Sequence, residues 1–161
     1  MTLADAAIWL KLSALSQLMR SDPWLYPSVE IVHIFGFAVL VGGVTLFDLR
    51  VLGFARAIPV RQLGQHLLPW SLASLLLVVP AGVMMFSADP QSLINNRVFL
   101  LKLALIVTAG INALLFHVGV YRTVAAWNTG AAAPPVARAQ ALLSILLWIA
   151  IISCGRLLAY V

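Results

Sequence analysis

Four stretches of this chain are apolar for long enough to cross a bilayer, and short clusters of turn-forming and basic residues separate them. Crossing takes roughly 20 mainly apolar residues, which predicts spans over about 27–49, 67–87, 97–121 and 138–160. Asp89-Pro90 and Asn95-Asn96 punctuate the second connection, and Trp127-Asn128-Thr129-Gly130 with Pro134-Pro135 the third. Residues 1–22 follow another pattern: Leu3, Ile8, Leu12, Leu15 and Met19 fall on one side, Ser13, Ser16, Gln17 and Arg20 on the other, and Lys11 interrupts the run. That pattern predicts an amphipathic helix lying in the membrane surface. Ser21 to Pro27 then reads as a turn, with Trp24 and Tyr26 as interfacial aromatics, and Pro80 predicts a kink in the second span.

The informative positions are those that break the apolar runs. The first span carries Glu30 and His33, the third Lys102, Thr108, Asn112 and His117, and the fourth Arg156. His33, Gly36, Leu40, Gly43 and Phe47 alternate by three and four, so they share one helical face with the histidine above two glycines. Because consecutive spans run antiparallel, His33, Lys102 and Arg156 all lie close to one membrane face, each about 8–9 Å inside it at 1.5 Å rise per residue. Met84, Met85 and Cys154 fall near the same depth. His117 belongs to the opposite face, about 20 Å from His33 in depth, too far for the two imidazoles to share a metal.

Composition turns the pattern into a class. With 63% hydrophobic and 9% charged residues among 161, the chain reads as an all-α polytopic membrane protein: one domain, a four-transmembrane-helix bundle with an amino-terminal interfacial helix. The net charge of +5 reflects loop topology and anionic lipid, and no basic cluster interleaved with aromatics marks a nucleic-acid surface. Arg50, Arg56, Arg61, Arg122 and Arg138 follow the first and third spans, against Lys11, Arg20 and Arg97 on the other side. Positive-inside reasoning therefore puts both termini in the periplasm of a bacterial inner membrane. Asp5 and the absence of an early basic cluster argue against a cleavable signal peptide. A single cysteine, Cys154, excludes an intrachain disulfide and CxxCH haem attachment.

Candidate chemistry centres on His33. Its bland reading is a neutral imidazole hydrogen-bonded to Glu30 or to another helix; its sharper reading is axial ligation of haem, with the second ring nitrogen oriented by a carboxylate or carbonyl such as Glu30 supplies. Lys102 and Arg156 either snorkel to headgroups or pair with Glu30 or haem propionates. His117, with His66 as a possible neighbour, reads first as structural and secondarily as a second haem ligand. Met84, Met85 and Cys154 are soft atoms that suit Cu(I), although methionines in apolar helices usually pack. Asp48 and Arg50 read as the end of the first span, Asn112 and Thr108 as interhelical hydrogen-bonding groups, and Ala109, Gly110 and Ala113 as a close-packing surface. No Ser-His-Asp set, glycine-rich phosphate loop or HExxH motif is present, which removes the commonest hydrolase and nucleotide-binding classes.

Trp24-Leu25-Tyr26-Pro27, Glu30-x-x-His33, Asp48-Leu49-Arg50, Lys102, Asn112 to His117 and Gly155 to Tyr160 together resemble a bacterial four-helix inner-membrane family of unknown function, over nearly the whole chain. More distantly, a histidine in the first span and a lysine followed by a histidine in the third look like the membrane protoporphyrinogen oxidase family and the copper-resistance D-type membrane domain. The first likeness implies haem b and porphyrin chemistry and the second copper, and both imply functional roles for His33, Lys102 and His117.

The combined expectation is haem b held through His33, with Lys102 and Arg156 near the propionates and Met84 or Met85 as the reachable opposing ligand. Electrons would pass between a quinone or membrane enzyme and an acceptor at the outer face. The alternatives are a porphyrinogen-oxidising enzyme, a copper-handling protein, and a non-catalytic accessory subunit of a larger membrane complex. A homo-oligomer would shelter polar groups that four helices cannot hide.

Overall fold

The computed structural model describes residues 3–160, with side chains from residue 7 onward. Met1, Thr2 and Val161, and the side chains of Leu3 and Asp5, lie outside the described residues. Helices α1 (Leu3–Lys11), α2 (Ala14–Ser21), α3 (Leu25–Leu52), α4 (Val60–Ala88), α5 (Pro90–Asn95), α6 (Arg97–Val118) and α7 (Pro135–Leu157) follow in order, with a 3₁₀ segment at Val120–Ala126. Of these, α3, α4, α6 and α7 are long and apolar enough to cross a membrane. The face carrying both ends of the chain is called the terminal face below, and the opposite one the loop face.

The amino-terminal segment is two helices where the pattern predicts one. Ser13 is extended and its hydroxyl accepts from the Ser16 N–H at 3.2 Å, so it caps α2 and breaks the segment there. Met19 then buries against Val29 and Ala81, while Trp9, Leu12 and Leu18 stay exposed. Polar ties hold the segment in place: Lys11 pairs with Asp89 at 3.5 Å, and Arg20 donates to the carbonyls of Ala88 at 3.1 Å and Lys11 at 2.9 Å.

Helix α4 begins at Val60, seven residues ahead of the predicted second span, because its first turn is capped from a distant loop. The Asn128 carbonyl accepts from Val60 N–H and its side-chain oxygen from Arg61 N–H, both at 2.9 Å. Helix α3 ends at Gly53, whose φ of 112° is a left-handed conformation that favours glycine. Helix α6 stops at Val118 rather than near Tyr121, where the chain tightens into the 3₁₀ segment after Gly119.

Helix α3 packs along α4, α6 along α7, and α3 joins the two pairs through α7. The backbones of α4 and α6 do not approach each other. The 3₁₀ segment bridges them at the loop face, and Phe86 stacks on Phe99 at the terminal face with ring centroids 5.6 Å apart. The spans thus form a row, α4-α3-α7-α6, curled so that its ends meet only at top and bottom. The loop-face half is the well-filled part, with Phe47, Val51, Val60, Phe116, Trp127, Ala137 and Ala141 in one buried cluster. Arg50, 3% exposed, closes it by donating to the carbonyls of Ile58, Arg56 and Asn128, the latter two at 3.1 Å.

Candidate functional site

His33 lies in the terminal-face half, on the side of α3 that packs against α4. Gly36, Leu40 and Phe47 are buried on the face of α3 predicted from their spacing. A Cβ on Gly36 would come within 3.0 Å of Val78 Cγ2 and 3.3 Å of the Ser74 carbonyl, and one on Gly43 would collide with the Ser71 hydroxyl. Glycine at both positions lets α3 and α4 touch, which brings His33 against α4.

There the His33 Nδ1 lies 2.9 Å from the Val78 carbonyl. A carbonyl only accepts, so Nδ1 carries the proton and donates, and the lone pair is on Nε2. Gly82 makes room for the ring, since a Cβ there would sit 3.2 Å from His33 Cε1. The imidazole stacks on Phe37 at 6.3 Å, and Phe37 meets Trp148 of α7 edge-on at 5.7 Å.

Lys102 of α6 is within electrostatic reach of His33. It is half-buried and lies against Gly155, with Nζ 3.7 Å from where a Cβ on that residue would be. The ion pair found among the described residues is Lys11–Asp89, which leaves the Lys102 ammonium uncompensated.

The other candidates are placed elsewhere. Glu30 is exposed, and the group that orients His33 is the Val78 carbonyl, a backbone atom that no sequence pattern marks. Arg156 is also exposed, donates to the Tyr160 hydroxyl at 2.7 Å and sits over its ring. Met85 shares the α4 face of Val78 and Gly82 one turn further on, and lines a cleft of about 470 Å³ with Lys11, Arg20 and Tyr26. Met84 opens instead on an apolar groove of about 290 Å³ with Val29, Val32 and Pro80. Cys154 is buried beside Lys102. Among the described residues no group of three or more His, Cys, Asp or Glu gathers as a metal site.

His117 is exposed near the loop face, its Nδ1 2.8 Å from the Ala113 carbonyl of its own helix, and it packs on Phe116 and Tyr121. His66 is exposed as well. Asp48 is not a solvated helix end but 6% exposed, set against Ser144 of α7. Asn112 does make an interhelical bond, donating to the Gln140 carbonyl at 3.0 Å.

Fold and site together define an all-α polytopic membrane protein of four spans, with an amino-terminal helical segment docked at one face and a histidine and a lysine from two spans within electrostatic reach of each other. Residues 5–161 match the model of a family of unknown function, DUF6644, and the chain belongs to that family. No curated protein and no solved structure matches the chain.

Proposed function

We propose that this chain is a haem b-binding protein of the bacterial inner membrane that carries electrons between a quinone or membrane enzyme and an acceptor on the periplasmic side, to which positive-inside reasoning assigns both termini. The observation that carries the reading is the His33–Val78 hydrogen bond at 2.9 Å. Metal-ligating histidines almost always donate their second ring N–H to a carbonyl, carboxylate or water, which fixes the tautomer and strengthens the ligating nitrogen. His33 is held in that way before any metal arrives.

The residues present fit the group. His33 Nε2 would hold the iron, and Lys102 would meet a propionate with a charge-assisted bond. Met85 is better placed than Met84 to approach from the α4 side. Arg156, engaged with Tyr160, stays at the rim. Bound haem supplies one-electron exchange. The chain's own part is to orient the imidazole, exclude water with Phe37 and Trp148, and offset negative charge with Lys102.

Copper handling has weaker support, because Met84 and Met85 open on different cavities. The test is the absorption spectrum of the purified protein, oxidised and then dithionite-reduced. A Soret band with a sharpened α band on reduction, both lost in His33→Ala, is the expected result. Colourless protein from haem-replete cells would end the proposal and favour an accessory subunit.

A further inference from the structure

The loop-face half holds a second polar cluster, separate from the haem proposal. Asp48 of α3 is 6% exposed, and its Oδ2 has no hydrogen-bond partner. Ser144 of α7 is the polar side chain set against its carboxylate. One turn earlier on that face of α7, Gln140 Oε1 is also buried without a donor. The Gln140 main chain is held by Asn112 of α6. Measured from the loop-face ends of their helices, Asp48, Gln140 and Asn112 lie about 6, 8 and 9 Å deep, so three spans place oxygen atoms at one level.

Both unpartnered atoms are acceptors. A buried acceptor with no donor is costly, more so on a carboxylate, and here no protein cation relieves it. Arg50, two residues from Asp48, is committed to three loop carbonyls, and no charged side chain acts on Asp48. Two buried acceptor atoms without a donor, Asp48 Oδ2 on α3 and Gln140 Oε1 on α7, are what a bound cation would satisfy. One carboxylate balances one positive charge, whereas calcium takes six to eight oxygens from several carboxylates, and an all-oxygen set does not select soft metals.

We propose that Asp48 and Gln140, with Ser144 and Asn112 beside them, form a binding site for a single alkali-metal cation between α3, α6 and α7. The bound ion ties α3 and α6 together through α7.

The test uses the purified full-length protein in detergent, titrated with NaCl or KCl against choline chloride at constant ionic strength. The thermal midpoint of the wild type is expected to rise by several degrees and to saturate with Na⁺ or K⁺. Asp48→Asn, close in shape but uncharged, should abolish that dependence. If this variant does not fold, sodium-NMR line broadening by the wild type, reversed by excess K⁺, reads the same site. Equal midpoints in all three salts, with no line broadening, would overturn the proposal and leave a Gln140 amide turned to donate to Asp48. A midpoint that responds to pH through Asp48 but to neither alkali ion would overturn it too, making the occupant a proton.

Discussion

At the scale of single residues, what matters is whether a polar group inside the membrane has a partner, and the three basic residues here illustrate three answers. Arg50 has three carbonyl partners from two loops. Lysine offers a point charge in place of a planar fork, so Arg50→Lys should lower stability by about 1.5–3 kcal/mol, read from thermal or denaturant unfolding in detergent. Arg156 has Tyr160. Lys102 has none among the described residues, and under the haem reading Lys102→Met should keep the Soret band but weaken haem retention on dilution by about tenfold or more. Unchanged retention would detach Lys102 from the cofactor. Tyr121, beyond the end of α6, has its pKa raised by burial, with Arg61 opposing. Its folded value exceeds the unfolded one, so this stability is whole below about pH 10 and is lost as pH rises through the folded value. Tyr121→Phe should therefore flatten the fall of the thermal midpoint between neutral and strongly alkaline pH; parallel curves for the two proteins would contradict it.

At the scale of elements, the three-four spacing of Gly36, Leu40, Gly43 and Phe47 already defined the buried face of α3, because in a helix spacing alone sets which side chains align. The structure adds that this face meets α4 at van der Waals distance. Gly36→Ala should push the pair apart at the Ser74 carbonyl, costing about 1–3 kcal/mol and loosening the His33–Val78 bond. A stability equal to wild type would show that α4 yields instead. The boundaries that differ from the pattern have local or distant caps as their cause. Ser13 divides the amino-terminal segment through a hydrogen bond to Ser16, which a helical-wheel reading overlooks. Asn128 extends α4 backward from 68 residues away, which no window along the sequence could include.

At the scale of the whole molecule, the row of spans leaves one seam, and orientation decides which compartment it serves. A periplasm-active reporter such as alkaline phosphatase, fused after Val161, should be active, and one fused in the Gly53–Pro59 connection inactive; the reverse pattern would move the proposed electron acceptor to the cytoplasm. The amino-acid sequence determined the class, the four spans and the packing face of α3. All of these follow from hydropathy, helical rise and spacing, which are properties of a chain read along its length. Only the tertiary structure decided that the Val78 carbonyl rather than Glu30 orients His33, that Arg156 turns to Tyr160, and that Asp48 is buried with an unpartnered oxygen. Those depend on which helices become neighbours and on where backbone carbonyls end up, and every residue carries the same carbonyl.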